Sequence, residues 1–131
     1  MSINDELLLD RAKVVRKRAH APYSGFLVGA ALLDNNGNVQ VGCNVENAAY
    51  PEGVCAEPVA IGSMVASGGT KIGRIAVVGG HDDLIACKPC GGCRQRISEF
   101  ADENTRIVSL DDDGALVEDS IDDLLPGPFS L

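Results

Sequence analysis

The sequence predicts an α/β fold in which one mixed, five-stranded sheet is sandwiched by helices. The predicted elements run as helix, two strands, helix, strand, helix, two strands and helix, an order that suits one sheet covered on its faces. A length of 131 residues is that of one domain, so residues 1–131 are expected to form a single domain. Hydrophobic residues make up 45% and charged residues 23%, the balance of an ordinary globular protein.

The first half of the chain is predicted to form a helix, a hairpin and a second helix. In chain order these are a helix over 4–20, strands over 27–33 and 39–45, and a helix over 54–67. Ser2 or Asn4 can cap the first helix, whose apolar residues recur at helical spacing. The turn-forming segment 34–38 joins the two strands, and Gly68 with Gly69 ends the second helix.

The second half is predicted to add three strands and two helices. In chain order these are a strand over 72–78, a helix over 93–100, strands over 106–110 and 115–118, and a helix over 120–125. The first of these strands is short and rich in β-branched residues, which makes it the candidate for the centre of the sheet. Ser120 can cap the last helix.

The charge of the chain argues against a nucleic-acid partner. The formal net charge is -8, whereas nucleic-acid binding favours basic residues clustered on one face. One segment is densely basic, with the spacing of a solvated helix face: Arg11, Lys13, Arg16, Lys17 and Arg18. A small-molecule substrate is therefore favoured.

The sequence lacks the pattern of a membrane span or of an export signal. No apolar run approaches the roughly 20 residues that cross a bilayer, and the first six residues are acidic and polar. We therefore expect a cytoplasmic protein with no membrane partner. Five cysteines in such a protein stay reduced, so their clustering indicates a metal site rather than disulfides.

The cysteine cluster has the spacing of a catalytic zinc site. Cys90 and Cys93, at i and i+3, can face one metal from the first turn of a helix, and Cys55 begins another predicted helix. Glu57 is then next to the metal without binding it, where a carboxylate can move protons between water and a substrate. The pattern Cys55-Ala56-Glu57 followed by Pro89-Cys90-Gly91-Gly92-Cys93 resembles the signature of zinc-dependent deaminases.

Two structural alternatives remain open on spacing alone. A zinc knuckle could be closed by Cys87, Cys90 and Cys93 with either Cys55 or Cys43, and three cysteines at this spacing also suit an iron–sulfur site. A structural site would close the open coordination position and leave the carboxylate next to it without a role. We expect Cys43 and Cys87 to be ordinary thiols near the site.

Several separate motifs resemble the small homotetrameric cytidine deaminases over nearly the whole chain. They are the segments 23–32 (YSGFLVGAAL) and 44–51 (NVENAAYP), the cysteine motifs with Arg94-Gln95, and the tail 124–129 (LLPGPF). The resemblance implies a cytidine deaminase-like fold, one Zn²⁺ per subunit held by Cys55, Cys90 and Cys93, and Glu57 as the catalytic proton carrier.

The resemblance also implies a nucleoside pocket. Asn44 and Glu46 look like the pair that binds the ribose hydroxyls, and Phe26 looks like a ring that packs against the pyrimidine. Ala56 would offer backbone groups to the edge of the base. By themselves, Asn44 and Glu46 would read as a polar loop and Phe26 as a core residue.

Two further aromatic residues are implied to act between subunits. Phe129 is similar to a C-terminal aromatic that reaches the site of a neighbouring subunit, and Tyr50 looks like an intersubunit contributor near the sugar. The resemblance therefore implies a homotetramer whose sites are completed by neighbouring copies.

Pro58 departs from the family pattern, which has arginine after Cys-Ala-Glu. Three thiolates around one Zn²⁺ leave a net negative charge, which an arginine offsets by hydrogen bonding to a ligand sulfur. Proline has no donor, although its ring is tolerated in the first turn of a helix. Arg94 is the remaining candidate for this supporting role, and blasticidin S deaminases also lack the arginine.

The resemblance implies hydrolytic deamination of cytidine and 2'-deoxycytidine to the uridine products, in pyrimidine salvage. An alternative keeps this chemistry on a modified cytosine nucleoside or a nucleoside antibiotic such as blasticidin S. A third hypothesis is a non-catalytic, zinc-stabilised binding module.

Overall fold

A computed structural model describes residues 3–131, which form four α-helices and six strands. The helices are α1 (Asp5–Arg16), α2 (Ala56–Ala66), α3 (Gly91–Ser98) and α4 (Ile121–Leu124). The strands are β1 (Leu27–Asp34), β2 (Val39–Cys43), β3 (Ile72–Gly80), β4 (Leu84–Ile85), β5 (Arg106–Leu110) and β6 (Leu116–Ser120). A single 3-10 turn at Tyr50–Glu52 lies between β2 and α2.

All six strands belong to one mixed sheet, with β3 near its centre as predicted. The strand order is β2-β1-β3-β5-β6, and β4 pairs with β3. Only β3 and β5 run parallel, while every other pair is antiparallel. The prediction of a mixed sheet between helices is confirmed, but the strand count is six rather than five. The extra strand, β4, has two residues, too few to show an alternating pattern in the sequence.

The helices cover both faces of the sheet and build two apolar cores. Leu8 and Ala12 of α1 pack on one face, and α2, α3 and α4 pack on the other. Neighbouring residues of the central strands divide between the cores, since Ala76 faces α1 while Ile75 and Val77 face the opposite layer. This division follows from the two-residue period of a strand.

The predicted caps are found where the chain is described. Asn4 caps α1, because its Oδ1 accepts a hydrogen bond from the backbone of Leu7 at 2.9 Å; Ser2, the other predicted cap, lies outside the described residues. Ser120 caps α4 in a reciprocal arrangement with Asp123. Helix α1 ends four residues before the predicted end at His20, whose N–H instead bonds to Asn44 O at 3.0 Å.

The prediction that Arg16 lies on a solvated helix face is wrong. Arg16 is buried, and its guanidinium donates to the carbonyls of Leu27, Gly80 and His81 at 3.0, 2.8 and 2.6 Å. These carbonyls lie at the start of β1 and the end of β3, so Arg16 joins the two strands where the polar loops begin. The spacing of basic residues could not reveal this, because the partners are distant in sequence.

Gly42 brings α2 into direct contact with β2. A Cβ atom added at Gly42 would lie 2.5 Å from both Ala56 O and the Ala60 nitrogen, a distance that excludes any side chain. Helix α2 therefore begins directly on the sheet, and this contact fixes the position of its first turn. No helix within residues 3–131 is long and apolar enough to cross a bilayer.

Candidate active site

The first turns of α2 and α3 meet and bring three cysteine sulfurs together. Cys55 is the N-cap of α2, Cys90 is the N-cap of α3, and Cys93 lies in the first turn of α3. The Sγ atoms of Cys55 and Cys90 are 3.9 Å apart, and all three sulfurs lie within 4.8 Å of one another. A tetrahedral zinc ion with Zn–S bonds of about 2.3 Å needs sulfurs roughly 3.8 Å apart, so the triad fits this ion.

The other two cysteines lie outside the triad. Among residues 3–131, the grouped metal-binding side chains are Cys55, Cys90 and Cys93, without Cys43 or Cys87. A closed four-cysteine site needs a fourth sulfur at the same short distances. The geometry therefore favours a centre with three protein ligands and one open position.

Glu57 lies beside the triad in the first turn of α2 and is 3% exposed. Burial raises the pKa of this carboxyl, and the neighbouring Cys55 raises it further. A raised pKa means that the carboxyl holds its proton more firmly than it would in water. The site therefore has a buried carboxyl next to the predicted metal position.

The thiols around the pocket differ in acidity. Hydrogen bonding to Cys93 lowers the pKa of Cys55 to about 6, so this sulfur is readily available as a thiolate. Burial raises the pKa of Cys87 to about 11, and the nearby Glu57 adds to this effect. Cys87 lines the pocket and lies outside the sulfur triad, so its position suits a pocket wall better than a metal ligand.

A pocket opens directly over the sulfurs and Glu57. The triad members Cys55 and Cys90 line this pocket. So do all the predicted substrate contacts except Phe129, namely Phe26, Asn44, Glu46, Tyr50 and Ala56. Phe26 has space at its edge because Gly79 lacks a side chain, and an added Cβ there would lie 3.1 Å from the ring. The ring of His81 packs edge-on against Phe26, with centroids 5.2 Å apart.

Asn44 ties the pocket to the start of β1. Its Oδ1 accepts from the backbone of Val28 and its Nδ2 donates to Phe26 O, each at 2.8 Å. An amide has a second N–H and a further lone pair, so one donor and one acceptor position remain available. Asn44 thus has a structural role in holding Phe26, and it still has capacity to bind a hydroxyl.

Glu46 is held at the pocket mouth by the segment before β1. Its carboxylate accepts from the backbone nitrogens of Tyr23 and Ser24 at 3.0 and 3.1 Å, and from the Ser24 hydroxyl. The Ser24 hydroxyl is the main reason that the pKa of Glu46 is lowered. Sequence reasoning missed Ser24, although it is part of the Tyr-Ser-Gly segment quoted for the resemblance.

Tyr50 and Phe129, the two aromatic residues implied to act between subunits, differ in their position relative to the pocket. Tyr50, 75% exposed, lines the pocket and packs against Tyr23 with ring centroids 5.7 Å apart. Phe129 is 73% exposed and does not line the pocket of its own chain. The amide of Gln95 holds Phe129 in place by accepting from its N–H and donating to its carbonyl, at 3.2 and 3.0 Å.

The predicted contact between Arg94 and a ligand sulfur is not formed. The guanidinium of Arg94 donates instead to the carbonyls of Pro89 and Leu124, at 2.8 and 2.9 Å. Arg96 makes the sulfur contact, with Nη1 3.5 Å from Cys93 Sγ. The signal for Arg96 was in the sequence, because residues three apart share a helix face whereas adjacent residues diverge.

A three-sulfur centre with a free position, a buried carboxylate beside it and a pocket above it define a metal-dependent catalytic site. The family described as "Cytidine and deoxycytidylate deaminase zinc-binding region" matches residues 2–109. The chain belongs to this family. The site therefore belongs to a zinc-binding enzyme, and the sulfur triad is positioned to hold the ion.

Individual relatives agree with this membership. A cytidine deaminase from Sporosarcina psychrophila is 39% identical over 125 residues, which cover 95% of this chain and 90% of the relative. The crystal structure of a cytidine deaminase from Burkholderia pseudomallei superposes with a TM-score of 0.87 at 41% identity, covering 97% of this chain and all of that one. A blasticidin-S deaminase from Bacillus cereus is 33% identical over 105 residues, covering 76% of this chain and 74% of the relative.

Proposed function

We propose that the protein catalyses hydrolytic deamination of cytidine and 2'-deoxycytidine to uridine and 2'-deoxyuridine. The observation that carries this proposal is the position of buried Glu57 beside the three sulfurs, under a pocket lined by Asn44 and Glu46. A proton carrier at the floor and sugar-binding groups at the mouth match the two ends of a nucleoside. Relatives named as cytidine deaminases support the substrate class.

The residues of the pocket divide the work on a bound nucleoside. Phe26 packs against the pyrimidine ring, and backbone groups of Ala56 face the edge of the base. Asn44 and Glu46 bind the ribose hydroxyls, because Asn44 retains a free donor and Glu46 is an acceptor held in place by Ser24. The base is thereby oriented with its amino-bearing carbon toward Glu57.

Glu57 moves the protons of the reaction. It takes a proton from the attacking water and delivers it to the ring nitrogen, and it then carries a proton to the leaving amine. The carbon–oxygen bond at C4 forms first, with a proton going to the ring nitrogen. The carbon–nitrogen bond then breaks once the amine is protonated, so water and cytidine yield uridine and ammonia. A zinc ion held by Cys55, Cys90 and Cys93 would supply activation of that water.

A second candidate substrate is a modified cytosine nucleoside or an antibiotic of the blasticidin S type. Pro58 and the similarity to a blasticidin-S deaminase favour it. The sugar-binding segment Asn44-Val45-Glu46-Asn47 favours cytidine, and we rank cytidine first. A non-catalytic zinc-stabilised module is the remaining alternative, and it leaves the burial of Glu57 beside the sulfurs without a purpose.

A substrate panel tests this proposal. Loss of the cytosine absorbance is followed for cytidine, 2'-deoxycytidine, analogues substituted at N4 or C5, and blasticidin S. We expect the highest kcat/KM for cytidine or 2'-deoxycytidine. Preference for the antibiotic would support the second candidate, and inactivity of the zinc-loaded protein on the whole panel would refute the enzyme assignment.

We further propose that residues 1–131 act as one domain and assemble as a homotetramer in which neighbours complete each site. Phe129 is exposed and is not among the residues that line the pocket of its own chain, which supports a role in another copy. Removal of residues 128–131 should then weaken substrate binding while folding is retained. Sedimentation of the intact protein as an active monomer would contradict the assembly.

The biological role that we propose is pyrimidine salvage in the cytoplasm, without a nucleic-acid partner. A net charge of -8 supports the last point, because polyanions are repelled by a negative surface. We expect the protein not to be retained on immobilised single-stranded DNA at low salt. Retention that is lost when salt is added would contradict this expectation.

A further inference from the structure

The sulfur triad receives one hydrogen bond from a cation within the described part of the chain. Nη1 of Arg96 lies 3.5 Å from Cys93 Sγ. Both residues are on α3, three positions apart, and therefore on the same face of that helix. Arg94, the neighbouring cation on α3, donates to two backbone carbonyls and makes no hydrogen bond to a sulfur.

The groove between α2 and α3 shows why the cation comes from α3. Residues of both helices line this groove: Pro58, Ile61, Gly62, Gln95, Arg96, Glu99 and Phe100. Position 58 is in the first turn of α2, on the same side of the triad as Arg96, and its proline ring has neither charge nor donor. Helix α2 therefore contributes no hydrogen bond to the sulfurs from this position, whereas α3 does.

Gly92 leaves the space that the guanidinium needs. A Cβ added at Gly92 would lie 3.3 Å from Arg96 Nη1 and 3.9 Å from its Cζ. The adjacent Gly91 has no neighbour within 4 Å of such an atom. The two glycines of the cysteine motif thus differ, and only the second faces the arginine.

The negative charge of the three thiolates indicates what the contact between Arg96 and Cys93 would do. Three thiolates outnumber the charge of a divalent ion, so the loaded centre is negative, and a reaction that forms further negative charge there is disfavoured. Arginine is always protonated and can donate a directed hydrogen bond to a sulfur. We propose that Arg96 is a positioning residue of the zinc site, which holds Cys93 Sγ and balances the thiolate charge that Pro58 cannot balance.

Zinc retention tests the proposal by a readout that does not depend on activity. The zinc-loaded protein is titrated with a chelator at fixed pH, and Arg96→Gln is compared with Arg11→Gln, which removes the same charge from the exposed face of α1. We expect Arg96→Gln to weaken zinc retention by about tenfold or more, the size typical of residues that support metal ligands. Arg11→Gln should match the parent protein.

Kinetics and rescue separate charge balance from packing. On cytidine, Arg96→Gln should lower kcat by about tenfold or more with little change in KM, because the arginine does not line the substrate pocket. Arg96→Lys, which keeps the charge, should retain more zinc than Arg96→Gln. The double variant Pro58→Arg with Arg96→Gln should regain zinc retention, because a guanidinium then enters the same groove from α2.

Further variants keep the test decisive. Gly92→Ala should push the guanidinium back by a few tenths of an ångström and weaken zinc retention more than Gly91→Ala does. Equal zinc retention by these two variants would count against the proposal if Arg96→Gln fails to fold. The proposal would be overturned if Arg96→Gln retained as much zinc as Arg11→Gln. It would also be overturned if Arg96→Gln and Arg96→Lys lost equal amounts of zinc and Pro58→Arg restored none of it. The inference rests on the proposed function only for its kinetic arm, since chelator titration remains informative if no cytosine nucleoside reacts.

Discussion

Helices α2 and α3 begin in the same way, but their first turns have different surroundings. Each helix is capped by a cysteine of the triad, at Cys55 and Cys90. The first turn of α2 is buried against β2 through Gly42, and it contains the carboxylate. The first turn of α3 is largely exposed, with two sulfurs, two glycines and a cation one turn later.

This difference separates two tasks of the site. Proton transfer, the task that we propose for Glu57, is favoured by burial that raises the pKa of the carboxyl, and Glu57 lies on the buried helix. Charge balance needs a cation that stays protonated and can donate to a sulfur, and Arg96 on the exposed helix meets both conditions. We therefore expect changes at α2 to act on chemistry and stability, and changes at α3 to act first on the metal.

Glu57→Gln is the strongest test of the α2 side. The amide keeps the shape of the side chain but cannot carry protons, so kcat on cytidine should fall by roughly a thousandfold or more. Zinc content and circular dichroism should match the parent protein, because Glu57 is not one of the three sulfur ligands. Full activity of Glu57→Gln would refute the role assigned to this carboxylate.

Replacement of single cysteines tests the α3 side. Cys90→Ser removes a ligand, and zinc affinity should fall by more than about a hundredfold, beyond the effect expected for a supporting residue. Cys87→Ser is the matched control from the same pocket, and it should keep one zinc per chain by atomic absorption. Zinc loss from the Cys87 variant would indicate the closed four-cysteine alternative.

Two glycine-to-alanine changes test the burial of α2. At Gly42 an added methyl group would meet the α2 backbone at 2.5 Å, and we expect a loss of about 2 kcal/mol or more in the free energy of unfolding. At Gly62, within α2, nothing lies within 4 Å, and alanine should stabilise by about 0.5–1 kcal/mol. Urea unfolding measures both. Equal effects would show that the α2–β2 contact is not tight.

The parts of the candidate site that depend on local spacing could be predicted from the sequence. Cys90 and Cys93 share a helix start, and Cys55 precedes Glu57 by two residues, so spacing marked these four residues as a candidate metal site. The resemblance to zinc-dependent deaminases, and not the spacing, favoured a catalytic centre over a structural one. The order of strands and helices was likewise readable, because apolar periodicity is a local property.

Contacts between distant segments could not be read in the same way. The three carbonyls that bury Arg16 are more than ten residues away along the chain, and no local pattern marks them. The two-residue strand β4 exists only because β3 extends far enough to pair with it. Arg96 is an intermediate case, since its helical spacing from Cys93 was visible but its freedom to reach the sulfur depends on the groove beside Pro58.

The smallest predicted effect lies away from both helix starts, at Ser24. Its hydroxyl is the main cause of the lowered pKa of Glu46, so Ser24→Ala should raise that pKa toward its ordinary value. Because the pKa of Glu46 is lower in the folded chain, its stabilising contribution is present above the unfolded pKa and is lost as pH falls through the folded one. In Ser24→Ala the contribution should be smaller and lost at a higher pH, which an NMR titration of the Glu46 carboxyl measures.

Ser24→Ala should also affect nucleoside binding without affecting chemistry. With one hydrogen bond to Glu46 removed, KM for cytidine should rise by roughly three- to tenfold while kcat is nearly unchanged. Zinc retention should equal that of the parent protein, because neither helix start is altered. A fall in kcat as large as that of Glu57→Gln would mean that the sugar end and the chemical end of the pocket are coupled, and the division of tasks between the helix starts would then be incomplete.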